Sequence, residues 1–434
     1  MSNSANNHKL SFFVVVLMNI NVTLGTGLFI NTVLLSKHAG AIGGFTYALI
    51  GIWLLPLILT FTNMLRLYPI GGIYTFAKEG ISPLAGFIST WTYFIGKLAS
   101  ATLAIHVAMS LLQTIIPTLR IVPVIALDIG IIITYTLLNL LNFKQGSKIQ
   151  VVFTSLKLVP IIFIIASGLF IINPGNFASA HFVWEGLSST IPLALFGFYG
   201  FESACNIALL IENPEKNASR AVITSHLLTT VITTLFQTLF YGSLGSLLAS
   251  QANFLGAYPA FITTHISHNL YFSNILIAFM HIAIASSALG SSYGIIYGNA
   301  WNLYNLAKHK QIYFANLLSR LSKNNIAPWC IIAEAIICLV YLLTTQGNQL
   351  YLQHIAVLAL TICFTITSYA YFAECKRRRK SILTAISSLA ICLILLGISM
   401  KSFIYNQLLL ALVFYAIIVI AGIIMHIKIE KKRL

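Results

Sequence analysis

Long apolar stretches constrain the fold of this chain more than any other feature. A membrane-spanning helix needs about 20 apolar residues, whereas a spanning β-strand needs about ten residues of alternating polarity. The pattern therefore predicts an all-α integral membrane protein with about 12 transmembrane helices, which form a single transmembrane domain over residues 1–434. The twelve stretches, cut at charges, prolines and polar clusters, lie at about 10–36, 42–65, 84–116, 121–142, 148–172, 187–211, 221–249, 273–303, 326–345, 350–372, 382–400 and 404–427.

The composition excludes a large soluble domain. Hydrophobic residues make up 58% of the 434 residues and charged residues only 8%, and a soluble fold of this size could not bury so much apolar surface. The net charge of +16 would suggest nucleic acid as the partner of a soluble protein. Here the basic residues cluster at the ends of the apolar stretches, so we expect a lipid bilayer and no nucleic acid as a partner.

The distribution of lysine and arginine predicts the topology. Lys37, Arg120 and Lys401 fall in loops on one side, Lys97 and Lys157 lie within spans, and the other basic residues fall on the opposite side. The positive-inside rule then places both termini in the cytoplasm of a multi-pass protein, which we expect in the plasma (cell inner) membrane. The six cysteines show neither metal-ligand nor disulfide spacing, and no cofactor is expected.

Glycines interrupt the first and the sixth stretch in mid-membrane. These are Gly25 and Gly27 in the first stretch, and Gly197 and Gly200 in the sixth. The free N–H and C=O groups of a broken helix are tolerated in a membrane only where a cavity, ligand or ion satisfies them. Two corresponding breaks predict an inverted five-plus-five repeat, with broken helices 1 and 6. The repeats would cover about 10–172 and 187–372, followed by two extra helices at about 382–427. The alternative is that these glycines serve only close helix packing.

The chemistry of the first break suits a zwitterion. Free amides at Gly25, Thr26 and Gly27 would begin a half-helix whose positive end favours a carboxylate. Carbonyl groups just before this break, and in the sixth stretch, favour an ammonium group. An amino acid carries both groups, so it is the expected substrate.

Several short blocks occur in the order found in one family of transporters. Together they make the chain similar to the amino acid-polyamine-organocation superfamily over roughly residues 10 to 330. The blocks are Gly25-Thr26-Gly27-Leu28-Phe29, residues 68–74 and 80–87, Phe198-Tyr199-Gly200-Phe201-Glu202, residues 212–217 and residues 290–307.

The resemblance implies positions for the substrate. Its carboxylate would meet the amides of Thr26 and Gly27, and its ammonium group the carbonyls near Thr23 and around Phe196 and Tyr199. Gly200 completes this set of binding residues. The resemblance also implies that Phe196 closes over the substrate. The alternative is that Phe196 and Phe198 are ordinary packing or lipid-facing aromatics.

Lys157 is buried too deep in the fifth stretch to reach water by extending its side chain. It lies about nine residues from the cytoplasmic end of the stretch, or about 14 Å at 1.5 Å per residue. Its position resembles that of a lysine which, in proton-coupled relatives, replaces the cation of sodium-coupled ones. We therefore expect Lys157 to couple transport to protons, or else to tether the first, fifth and eighth spans.

Two further charged residues fall within predicted spans. An ionisable group in the membrane is a functional candidate by default. Glu202 either carries a proton or caps free amides of the sixth-span break. The place of Lys97 in the third span resembles one where relatives contact the substrate side chain, so Lys97 either favours an acidic substrate or pairs with Asp128.

A hydrolase is the competing class. Residues 290–294 fit the G-x-S-x-G pattern, and His281 or His354 could be the base, but the required strand-turn-helix context is absent. Zinc-protease and phosphate-loop motifs are also absent from the sequence, so we expect no enzyme activity. The sequence favours a secondary transporter that imports amino acids with protons. The alternatives are an amino acid or amine exchanger and a sensor that binds without transporting.

Overall fold

The computed structural model describes residues 10–69, 72–141, 143–178, 184–206, 208, 211–322 and 326–432. The first ten α-helices in this part of the chain are α1 Phe12–Thr23, α2 Thr26–Ala39, α3 Gly43–Trp53, α4 Leu55–Leu67, α5 Ile73–Gly80, α6 Pro83–Ile115, α7 Val124–Leu141, α8 Phe143–Ile171, α9 Gly175–Ala178 and α10 Trp184–Phe196. The next ten are α11 Ser203–Asn206, α12 Pro214–Leu244, α13 Ser246–Ser250, α14 Ala257–His265, α15 Leu270–Lys308, α16 Ala315–Leu318, α17 Pro328–Thr345, α18 Gln349–Arg377, α19 Leu383–Tyr405 and α20 Leu409–Lys431.

The apolar stretches of the sequence correspond to these helices. The first stretch is α1 and α2, the second α3 and α4, and the sixth α10 and α11. The other nine are single helices, namely α6, α7, α8, α12, α15, α17, α18, α19 and α20. By length and composition, 8 helical runs among the described residues could cross a membrane, the first being α2 to α4 taken together. The prediction of an all-α multi-pass membrane protein is confirmed.

Polar residues placed just before the spans set where several helices begin. The Ser82 hydroxyl accepts a hydrogen bond from the Ala85 amide at 3.2 Å, and Pro83 follows as the first residue of α6. The Asn269 side chain accepts from the first amides of α15 in the same way. Such caps satisfy amides that have no acceptor inside the helix.

The helices of the first half of the chain pack against those of the second half, and several of these contacts have an equivalent in which the two halves are interchanged. The long helices α6 and α15 pack against each other at the centre of the bundle. Helix α8 packs on α15, and α18 packs on α6; likewise α1 packs on α12, and α10 packs on α3. This is the pattern expected if the second set of five spans repeats the first, although the repeat boundaries remain a prediction. Helices α19 and α20 pack on the outside, against α18 and α6 respectively.

Short helices in the connections were missed from the sequence because they span too few residues to show an apolar period. The amphipathic helix α5 is the clearest case. It packs on α6 and α18, and its Tyr74 stacks on His309 just after α15, with ring centroids 4.8 Å apart. Helix α5 therefore fills the space between the ends of predicted spans 3, 8 and 10.

A backbone bridge joins the start of α1 to the segment after the sixth-span break. Leu10 and Ile211 form a single parallel β-bridge, and the Glu212 amide donates to the Leu10 carbonyl at 3.0 Å. Because these are backbone contacts, they do not depend on the side chains involved.

Candidate functional site at two broken helices

The first break separates α1 from α2 at two residues. Helix α1 ends at Thr23, and Gly25 is the N-cap of α2 without any side-chain hydrogen bond. The first amides of a helix have no acceptor inside it, so those of Thr26 and Gly27 remain available to a ligand. The Thr23 hydroxyl donates back to the Asn19 carbonyl at 2.7 Å, so Thr23 can offer a ligand only acceptors, namely its hydroxyl oxygen and its backbone carbonyl.

The second break separates α10 from α11 over residues 197–202, which form consecutive turns. Gly200 has φ of +146°, a conformation that residues with a side chain rarely adopt. Its amide donates to Oε2 of Glu202 at 3.0 Å. The carboxylate of Glu202 therefore caps a free amide of the break.

The two breaks lie directly against each other. A Cβ atom added at Gly27 would lie 2.9 Å from Cδ1 of Phe196 and 3.1 Å from the Gly197 Cα. A Cβ atom at Gly200 would lie 2.7 Å from the Thr23 amide nitrogen. These glycines allow close backbone packing, and in this conformation a ligand could enter only if the breaks moved apart.

Phe196 at the end of α10, and Phe198 and Tyr199 in the second break, have different surroundings. Phe196 lies over Gly27. Phe198 is buried and packs its ring edge-on against Tyr47. The Tyr199 hydroxyl shares a hydrogen bond with Oγ1 of Thr361 on α18 at 2.6 Å. Phe196 is therefore the one aromatic ring of these three that covers the amides of the first break.

Lys157 is fully buried between α8 and α1. Its ammonium group donates to Oδ1 of Asn21 at 2.7 Å and also to the Asn21 backbone carbonyl. That carbonyl belongs to the last turn of α1, where helix carbonyls lack an intrahelical donor. The positive charge therefore meets the negative end of the half-helix that leads into the first break.

Lys97 and Glu202 form a buried ion pair beside the second break. Nζ of Lys97 lies 2.6 Å from Oε1 of Glu202, and the Tyr93 hydroxyl donates to the same oxygen at 2.9 Å. The alternative pairing of Lys97 with Asp128 is wrong, because Oδ2 of Asp128 lies 2.7 Å from Nδ1 of His106 instead. The sequence could not identify the true pair, since its two members lie on spans far apart along the chain.

A small cavity adjoins this ion pair. It has a volume of about 40 Å³ and lies between α1, α6, α11 and α15, with Val22, Tyr93, Lys97, Ser203 and Asn299 among its lining residues. A cavity needs about 10–15 Å³ of such space to hold one water molecule. The cavity therefore accommodates a water molecule and is too small for an amino acid in this conformation.

The structure does not bring together the serine and histidine residues that a hydrolase would need. Ser292, the serine of the G-x-S-x-G pattern, lies inside α15, and its hydroxyl donates to the Ala288 carbonyl at 2.9 Å. His281 faces Thr114, and His354 faces Ser402. Neither histidine is a hydrogen-bond partner of Ser292.

Three residues at the site were missed from the sequence. Asn21, Tyr93 and Asn299 contact Lys157, Glu202 and the cavity respectively. Tyr93 precedes Lys97 by one helical turn, and this spacing was the available signal that they share a face. Asn21 and Asn299 carry no pattern that distinguishes them from other asparagines.

Comparison with known proteins identifies the family. A family model described as "Amino acid permease" matches residues 10–423. The chain is 24% identical over 379 residues to the serine/threonine exchanger SteT of Bacillus subtilis (strain 168), covering 83% of this chain and 82% of SteT.

Two other relatives match over shorter regions. The low-affinity putrescine importer PlaP of Escherichia coli (strain K12) is 25% identical over 195 residues, which is 42% of each chain. The cystine/glutamate transporter of Pongo abelii is 25% identical over 233 residues, covering 49% of this chain and 45% of the relative. Both matches span less than half the length of those relatives. Because the family model matches nearly the whole chain, the protein belongs to the amino acid permease family, which is a family of transporters.

Proposed function

We propose that this permease is a secondary active transporter that imports amino acids together with protons. The observation that carries the proposal is the contact between Lys157 and Asn21 at the end of α1. We place the protein in the plasma membrane with both termini in the cytoplasm, as the distribution of lysine and arginine indicates.

The groups exposed by the breaks support an amino acid as the substrate. The amides of Thr26 and Gly27 offer donors to a carboxylate, and carbonyls near Thr23 and around Phe196 offer acceptors to an ammonium group. Because the breaks touch each other here, substrate binding requires α1 and α2 to separate from the break between α10 and α11. Phe196, which covers Gly27, would then close over the bound substrate.

The position of Lys157 supports coupling to protons. A buried ammonium ion is stable only while it is paired or hydrogen-bonded, and here Asn21 is its partner. Movement of α1 would remove both acceptors and favour loss of the proton. Protonation of Lys157 and the position of α1 would then depend on each other, which is the requirement for a proton to drive a conformational cycle.

The contacts of Glu202 favour an anchoring role over proton carriage. Its carboxylate receives the Lys97 ammonium, the Tyr93 hydroxyl and the Gly200 amide. A carboxylate with three such donors is stabilised in its ionised form. We therefore infer that Glu202 and Lys97 hold the second break against α6.

Amino acid exchange is the second candidate. It is favoured by the match to SteT, named as a serine/threonine exchanger, which extends over most of both chains. An exchanger would need a substrate on the opposite side of the membrane and would respond little to a proton gradient.

Uptake by purified protein in liposomes tests the proposal. We expect acidic external and alkaline internal pH to drive accumulation of at least one radiolabelled amino acid in liposomes that contain no internal amino acid. Uptake that needs internal amino acid and ignores the pH gradient would establish exchange and contradict import with protons. Binding without either kind of movement would identify a sensor.

A further inference from the structure

Acidic side chains are rare in this chain, which has only nine aspartate and glutamate residues in total. Among the acidic side chains that the structure describes, four have no exposed surface: Asp128, Glu202, Glu334 and Glu374. Three of these four have a basic partner, the pairs being Asp128 with His106, Glu202 with Lys97, and Glu374 with both Arg377 and Arg378. Glu334 is the exception.

Glu334 has no hydrogen-bonding partner among the described residues. Neither of its carboxyl oxygens accepts a hydrogen bond of normal geometry from a described residue. It lies six residues after the start of α17, or about 9 Å along the helix axis. An ionised carboxylate without a partner is far too costly at such a position, so the group must be neutral.

The surroundings of Glu334 contain uncharged groups. Cys330 and Cys338 lie one turn before and one turn after it on α17, and Cys338 lies against Thr102 of α6. From α15, Asn299 faces the carboxyl group. The amide nitrogen of Asn299 already donates to the Phe94 carbonyl at 3.0 Å.

Asn299 also lies between Glu334 and the cavity. Asn299 lines the same cavity as Lys97, while Glu334 does not. A carboxyl group that faces a polar side chain on the wall of a cavity of water size can exchange a proton when water enters beside that side chain.

We propose that Glu334 is a proton-binding site, separate from Lys157, that is protonated in this conformation and exchanges its proton with the cavity past Asn299. The ligand is the proton itself, held as the O–H of a carboxylic acid. Loss of this proton would transfer it to water in the cavity and leave a carboxylate that the present surroundings do not stabilise.

Infrared spectroscopy of the purified protein tests the site without any transport assay. We expect a carbonyl stretching band of a protonated carboxylic acid at neutral pH that disappears in Glu334→Gln. The band should shift in heavy water, because the proton exchanges. Glu374→Gln is the matched control: Glu374 is equally buried but ionised, since Arg378 donates to its Oε2 at 2.7 Å, so its removal should leave the band unchanged.

Thermal stability provides a second measurement. Glutamine matches the neutral acid in shape, so Glu334→Gln should fold, and it should be more stable than the wild type at alkaline pH, where the wild-type acid is forced to ionise. Identical infrared spectra for wild type and Glu334→Gln would overturn the proposal, as would a band that never shifts in heavy water. Because neither measurement uses substrate, failure here is distinguishable from failure of the proposed transport function.

Discussion

The Lys97 ammonium group lies 2.6 Å from Oε1 of Glu202, so an ion pair ties the third span to the break in the sixth. Both side chains are buried. Removing one member would leave an uncompensated charge inside the membrane, where the small cavity beside the pair offers far less solvation than bulk water.

Disrupting this pair should destabilise the protein. We expect Lys97→Met to cost about 3–5 kcal/mol, the range measured when one member of a buried pair is removed. Combining it with Glu202→Gln should recover part of the loss, because no charge is then left unpaired. Melting temperature in detergent measures the effect. Lys78→Met is the control, since the Lys78 and Glu79 pair is partly exposed, and should change little. Equal melting temperatures for Lys97→Met and wild type would contradict the assignment.

Substrate selectivity should reflect the pairing of the Lys97 charge with Glu202. Because Glu202 balances its charge, we expect neutral amino acids to compete for uptake better than glutamate, lysine or arginine. In Glu202→Gln the ammonium is unpaired, and glutamate should then gain at least about tenfold in relative affinity, or ~1.4 kcal/mol. Competition against a radiolabelled neutral amino acid measures this. Strong inhibition of the wild type by glutamate would show that Lys97 contacts the substrate despite its partner.

The contact between the two breaks makes Gly27 sensitive to any side chain. Even Gly27→Ala places a carbon 2.9 Å from the Phe196 ring, and Gly27→Val should abolish amino acid binding while the protein still inserts. Phe196→Leu should partly rescue Gly27→Ala, because the ring is the nearest contact. Binding by calorimetry measures both. Gly130→Ala is the control, since nothing lies within 4 Å of a Cβ there. Full binding by Gly27→Val would remove the first break from the site.

Lys157 should be required for accumulation driven by protons. We expect Lys157→Ala to abolish acid-driven uptake. Lys157→Arg should fail to rescue it, because a guanidinium group does not release its proton at accessible pH. Lys401→Ala, at an exposed lysine on α19, should behave as wild type. Accumulation by Lys157→Arg against the substrate gradient would reduce Lys157 to a structural tether and favour exchange.

His309 should make the position of α5 sensitive to acid. Partial burial, together with Lys78 of α5 and Lys308 of α15, lowers the pKa of His309 below its usual value of 6.5. The unfolded chain then binds the proton more readily, so the contribution of this residue is complete above about pH 6.5 and is lost as the pH falls below it. His309→Phe keeps the stack on Tyr74 but cannot bind a proton. Its melting temperature should therefore fall less than that of the wild type when the pH is lowered from neutral to acidic. Equal losses would contradict this.

The sequence predicted the spans and breaks well because both depend on local patterns. Twelve apolar stretches and two glycine interruptions follow from hydrophobicity and from the need to satisfy backbone groups in a membrane. The partner of Lys97 and the isolation of Glu334 from any basic residue could not be predicted, since both depend on which faces of distant helices meet. Lys157 was identified from its depth and from family resemblance, but its partner Asn21 lies on a different span, and no local pattern connects the two residues.

The bridge between Leu10 and Ile211 has a mechanical consequence. It joins the start of α1 to the chain just after α11, so neither half-helix can swing away without stretching a backbone hydrogen bond at the other. The half-helices α1 and α11 would therefore move together, and the chain would bend at the two breaks. A displacement of α1 caused by a change at Lys157 would therefore reach the sixth span through the bridge between Leu10 and Ile211 as well as through the breaks.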